Sequence, residues 1–315
     1  MNQLNSHQRG LLMTAFGVLV LTPDALLVRL IETDHWTLLF WRSFFMACSL
    51  LTLNAILERR SLHKAIADLF RRGLNGGLHG GPFGGPFGGL FGGLNSGWFC
   101  ALLFAGSNIC FVLSITHTAV ANTLVILASM PFIAALLTVF LMRKSLPFRT
   151  WATIVLAMVG IVIVFWGRFG DGNSFGDAMA ALCAMFMAGT LVSIAHNPRI
   201  NSLAAIGLAS LIAALFALFM GAEPGLPSRS DFAYLVLNGA VVLPIAMGLI
   251  TYGPKLISAP EVSLILLLET VLGPLWVWLA LGEEPPGQTF AGGGLVVAAI
   301  LVNAWLGFRD ARNGS

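Results

Sequence analysis

Charge is scarce in this sequence, and the scarcity decides its class. Only 10% of the 315 residues are charged against 57% hydrophobic, with a mean hydropathy of +0.87. A soluble domain carries about 25% charged residues because its surface faces water. A soluble globular chain is therefore excluded, and an integral membrane protein is expected. The period-2 alternation of an outer-membrane barrel is missing as well. A net charge of +3 leaves no footprint for nucleic acid. Cysteine is sparse: Cys48, Cys100, Cys110 and Cys183 all lie inside apolar segments, without metal-ligand spacing. They read as small packing residues, so neither a disulfide framework nor a metal site is expected. Also absent are GxxxxGK[ST], HExxH, a paired-aspartate motif and a nucleophile set beside a base. These gaps exclude ATP-driven transport by this chain and argue against a membrane-embedded enzyme. No cofactor is expected.

What is abundant is helix-length apolar text. About 20 apolar residues cross a bilayer core. On that ruler the chain is all-α with ten spans, at 11–31, 36–57, 97–117, 119–141, 149–167, 176–196, 202–221, 231–252, 259–281 and 288–308. The first reads as a retained span, since Thr22-Pro23-Asp24 makes a poor leader-cleavage site. Cytoplasmic loops carry the excess of Lys and Arg. With the N-terminus inside, the inner segments hold 13 such residues, among them Arg9, Arg71, Arg72, Arg143, Lys144, Arg149, Arg199, Lys255 and Arg309. The outer loops hold 2, Arg168 and Arg229. Both termini are therefore expected in the cytoplasm.

The sequence also repeats itself. Shifted by 139 residues, Ser258 to Leu281 falls without a gap on Ala119 to Met142. In this register Ile126-Leu127 lies over Ile265-Leu266, Leu136 over Leu275, Pro147 over Pro286, and Thr150-Trp151-Ala152 over Thr289-Phe290-Ala291. Five spans per half is an odd number, so the second half must insert upside down. That inversion accounts for a break that is basic in one copy (Arg143-Lys144) and acidic in the other (Glu283-Glu284). Two inverted five-helix repeats are expected, 11–167 and 176–308, an architecture of transporters. Between spans two and three, Glu58 to Arg72 reads as a basic interfacial helix, and about 73–96 as a flexible glycine-rich cytoplasmic insert. Ala205, Ala209, Ala213, Ala217 and Gly221 form a small-residue stripe for close helix contact, with a shorter one at Ala180, Ala184 and Ala188.

Charges inside the bilayer are costly and mark function. Glu269 lies at the middle of its span and is the first candidate, as a substrate or proton-coupling group; its structural alternative is a hydrogen bond to a neighbouring helix. Asp24 follows Pro23 midway through span one, and the pair reads as a helix break facing a cavity. Arg42 pairs with Asp24 or with Glu269, or snorkels; the sequence leaves this open. Glu261, beside Pro260 at the start of span nine, is expected to cap its helix. Asn108, His117 and Asn122 supply uncharged polar candidates. Of the deeper tryptophans Trp276 and Trp278, one can face a central cavity.

Three stretches carry a family resemblance: Phe40-Trp41-Arg42, Thr116 to Leu146 (THTAVANTLVILASMPFIAALLTVFLMRKSL), and Ser258 to Glu284 (SAPEVSLILLLETVLGPLWVWLALGEE). Together with the duplication, they make the chain similar to the drug/metabolite transporter superfamily, in its ten-helix EamA-like branch. The chain departs from the pattern where Met130 stands opposite Glu269 and where Leu141-Met142-Arg143-Lys144 replaces the first-half Leu-Gly-Glu. The resemblance implies a secondary transporter in a bacterial inner membrane, with a cavity between the halves. Members of that branch carry amino acids, nucleotide-related metabolites and drugs, mainly outward, so the resemblance does not fix the substrate. A small polar metabolite such as an amino acid, carried by a monomer or homodimer, is expected. Proton coupling or exchange would drive it; an ion channel or uncoupled facilitator is the alternative. A channel would need a ring of charges or carbonyls, which this text lacks.

Overall fold

The structure is a computed structural model, and it describes residues 6–58, 97–118, 120–164, 173–223, 225, 227–282 and 287–313. The basic stretch after Glu58, the glycine-rich insert, Arg168 and Glu283-Glu284 lie outside the described residues. Among the described residues all regular structure is helical. Among the described residues eight helices are long and apolar enough to cross a membrane, and two shorter apolar helices, Phe148–Val164 and Phe290–Leu306, lie at the fifth and tenth expected spans.

The elements run α1 (Ser6–Leu21), α2 (Asp24–Arg29), α3 (His35–Glu58), α4 (Gly97–His117), α5 (Val120–Leu127), α6 (Met130–Met142), α7 (Phe148–Val164), α8 (Ser174–His196), α9 (Ser202–Phe219), α10 (Arg229–Val236), a π-helical segment (Leu237–Val242), α11 (Leu243–Ile250), α12 (Ala259–Leu281) and α13 (Gly287–Asn313). Caps set several of these ends. Asn173 and Asn201 accept from the Phe175 and Ala204 amides at the starts of α8 and α9. Before α12, Ser258 and Glu261 form a capping box, with the Ser258 amide donating to Glu261 Oε2 at 3.0 Å. Glu261 thus caps its helix as expected.

Proline breaks two spans, and at the first a nearby hydroxyl repairs the damage. Pro23 has no amide for the Leu19 carbonyl, which instead accepts from Thr22 Oγ1 at 2.8 Å. Span one therefore stops at Leu21 and restarts at Asp24. Span four stops at Leu127 and restarts at Met130, with Pro131 in the new first turn and Ser129 Oγ donating to the Ile126 carbonyl at 2.6 Å. A third irregularity is the π segment just before Pro244.

Small residues bring the helices together. Ala205, Ala209, Ala213 and Ala217 are fully buried on α9, which packs on α3 and α4. The stripe serves contact within the chain, but Gly221 falls outside it, exposed in the turn after α9. Ala180, Ala184 and Ala188 are equally buried on α8, which packs on α4 and α6. The two short apolar helices pair with each other: a Cβ on Gly160 of α7 would lie 2.7 Å from Val296 Cγ2 on α13. Large apolar side chains such as Phe16, Phe140, Phe219, Leu279 and Leu301 point outward, as suits a lipid-facing surface.

Candidate functional site

The polar residues of the interior meet at the broken part of span one. Asp34 ends the loop before α3, accepting at Oδ2 from the Trp36 and Thr37 amides, both at 3.0 Å. From that fixed start Arg42 lies two turns into α3, a depth of about 10 Å at 1.5 Å per residue. The chain restarts after Pro23 with Asp24 facing it. Arg42 Nη2 donates to Asp24 Oδ2 at 2.9 Å, and Asn238 Nδ2 donates to Asp24 Oδ1 at 2.7 Å. Asp24 is 2% exposed and Arg42 6%, so water does little to solvate either charge. Such a pair holds together only because each charge answers the other. The ring of Phe111 adds a cation–π contact, its centroid 5.5 Å from Arg42 Cζ.

Asn238 reaches the pair because its backbone runs against α3. A Cβ on the next residue, Gly239, would come within 2.9 Å of the Arg42 carbonyl oxygen, so only glycine fits this approach. The π turn sits at this point, as π turns often do beside functional residues.

Asp24 and Arg42 form part of the wall of a cavity of about 130 Å³ among α1 to α6, α8, α11 and α12. Asn108 and Glu269 share that wall. Asn108 Nδ2 donates to Ser43 Oγ at 3.0 Å. Glu269, the eleventh residue of the 23-residue α12, is half-buried and makes no hydrogen bond or ion pair among the described residues. Met130 also faces the cavity, so the two residues that align across the 139-residue shift look into one space. Apart from Ser107, whose hydroxyl is turned to the Cys183 carbonyl, and Thr270, the remaining wall is apolar, with Met46, Phe104, Met187 and Met247 prominent.

Three candidates lie elsewhere. His117 is exposed at the end of α4, bonded through Nδ1 to the Leu113 carbonyl at 2.8 Å and ringed by His35 and Phe175. Asn122 bonds Thr118, which in turn donates to Asp177. Trp276 is 41% exposed and donates from Nε1 to Thr22 Oγ1 at 2.8 Å. Trp276, Thr22 and the freed Leu19 carbonyl therefore form a relay that clasps α12 to the break in span one. Sequence reasoning missed Asn238. Its only local sign is a polar amide beside glycine, six residues before a proline, inside an apolar span.

This arrangement is a small chamber with one fixed ion pair, one carboxyl without a partner among the described residues, and mostly apolar walls. Residues 174–305 match the family model of the EamA-like transporter family. A solved structure described only as "Crystal structure of protein" shares the fold, with a TM-score of 0.72 at 18% identity over 94% of this chain and 98% of that one. No curated protein matches the chain.

Proposed function

We propose, from the match of residues 174–305 to the EamA-like transporter family, that this chain is a secondary transporter. It moves a small polar metabolite, such as an amino acid or related compound, outward across a bacterial inner membrane by alternating access. It does no covalent chemistry, works as a monomer or homodimer, and keeps both termini in the cytoplasm. The carrying observation is the convergence of Asp24, Arg42, Asn108 and Glu269 on one cavity at mid-span depth. Glu269 is the proton-coupling site in this reading, because among the described residues it lines the cavity without a hydrogen bond or ion pair.

Ten spans in two inverted repeats are part of the proposal, and two observations support it. Arg143 and Gly282, aligned by the 139-residue shift, both end their helices in the left-handed region, at φ of 51° and 72°. Arg143 is the one non-glycine residue with positive φ among the described residues, and its counterpart is a glycine. The main packing pairs also map onto one another when each span is exchanged for the span five further on: α4 on α8 maps to α11 on α1, while α3 on α9, α6 on α12 and α7 on α13 map to themselves. Counterflow in proteoliposomes tests the function. Liposomes preloaded with the substrate should take up labelled substrate against its gradient, and uptake equal to that of empty liposomes for every metabolite in a broad library would refute transport.

A further inference from the structure

We infer that the cavity takes a zwitterion with an apolar body, its carboxylate held by Arg42 and its ammonium facing Glu269. This rests on the transport reading and narrows its substrate. Arg42 carries five N–H donors, of which the bond to Asp24 occupies one, at Nη2. Its Nε and Nη1 are buried without an acceptor. Asp24, by contrast, is answered at both oxygens. A buried donor without a partner costs free energy that an arriving acceptor returns, and guanidinium–carboxylate bonds are among the strongest available. Glu269 shows the opposite deficit: an acceptor facing the same chamber, with no donor among the described residues. One molecule answers both deficits if it carries a carboxylate and an ammonium. A plain organic anion would leave Glu269 unanswered and add a negative charge beside two carboxyl groups. A plain amine would leave Arg42 unanswered.

The body of the molecule must then suit the rest of the wall. Met46, Phe104, Phe111, Met187, Met247 and Leu266 contribute no strong hydrogen-bonding group. A polar body placed there would lose its water without compensation. An apolar one gains contact area, and flexible thioethers adapt to its shape.

The test uses the whole protein in lipid nanodiscs with radiolabelled leucine. The competitors are unlabelled leucine, 4-methylpentanoate (no amine), 3-methylbutylamine (no carboxylate) and serine (polar body). Leucine should displace the label at concentrations at least about ten-fold lower than each of the other three, through the loss of one good charged interaction for the two one-ended analogues and of apolar contact for serine. Arg42→Gln should bring leucine down to the level of 3-methylbutylamine, and Glu269→Gln to the level of 4-methylpentanoate. On the unmodified protein, a one-ended analogue that competes as well as leucine overturns the role of the residue it fails to engage. Serine competing equally overturns the apolar body, and a lack of saturable leucine binding overturns the whole inference. These comparisons need no variant to fold. Counterflow scores transport separately. Leucine bound in this pattern but not carried supports the site and discards the transporter reading; another solute carried while leucine stays unbound does the reverse.

Discussion

Span four and span nine are counterparts in the proposed inverted repeat, and they differ where they matter most. Both end in a left-handed residue, Arg143 and Gly282, and both look into the cavity at the aligned positions Met130 and Glu269. Just before Met130 span four is broken at Ala128-Ser129, with Pro131 in the turn that follows, while span nine is one unbroken helix of 23 residues. One copy has an interrupted backbone and an apolar side chain at mid-depth; the other has a continuous backbone and a carboxyl. Under the proposed repeat, matching halves would provide a pseudo-symmetric frame that can rock about its centre. The mismatch at its centre places the ionisable group on one side only.

The comparison can be broken or sharpened at graded cost. The largest effect is expected at the ion pair, which the rigid frame of span nine faces. Asp24→Ala strands a buried guanidinium and should cost about 3–5 kcal/mol of stability; adding Arg42→Leu should restore a good part of it. Thermal unfolding in detergent reads this directly, and equal losses in the single and double variants would show that the pair does not act as a unit.

The aligned caps come next. Gly282→Ala forces a Cβ into left-handed backbone and should cost about 1 kcal/mol, whereas Arg143→Gly should be neutral or stabilising by a similar amount. If both substitutions destabilise alike, the two ends are not equivalent. Single cysteines at the same two positions should label from opposite faces of the membrane, Arg143 from the cytoplasm and Gly282 from outside. Labelling from one face would remove the inversion.

Trp276→Phe keeps the ring and removes the hydrogen bond to Thr22, a loss of about 1 kcal/mol. A cysteine at Leu19 should then react faster, because the break in span one loses its clasp to α12. The smallest effect belongs to the insert. Deleting Gly76 to Gly93 should leave expression and transport near normal, since a long loop contributes little to closure. Lost transport with normal membrane insertion would reveal a gate or docking role.

Much of the fold could be read from the residues, because each signal was local. Apolar length located the apolar helices, Pro23 marked a break, Glu261 beside Pro260 announced a cap, and alanines four apart marked the tightest helix contacts. The site was only partly legible. Asp24, Arg42, Asn108 and Glu269 were recognisable one by one as polar groups deep in apolar text. That Arg42 pairs with Asp24 depends on the rotation of α3 against the restarted span one, and no local pattern records a rotation. His117 and Asn122 sit close enough to helix ends to bond locally there, which a spacing argument cannot tell from a cavity position. Asn238 was hidden for the converse reason: its partner is 214 residues away, and a π turn aims its side chain.

The central claim is that Glu269 couples the cavity to protons, and one measurement addresses it. In proteoliposomes carrying an imposed pH gradient, the parent protein should accumulate substrate. Glu269→Gln keeps the shape and removes the titration, so at saturating substrate it should retain part of the exchange activity, lose gradient-driven accumulation and show a flattened pH dependence. Asp24→Asn is the matched control. If Glu269→Gln accumulates substrate against the gradient like the parent, the coupling role passes to Asp24 or to no carboxyl at all, and the protein is an exchanger or facilitator in which Glu269 only shapes the cavity.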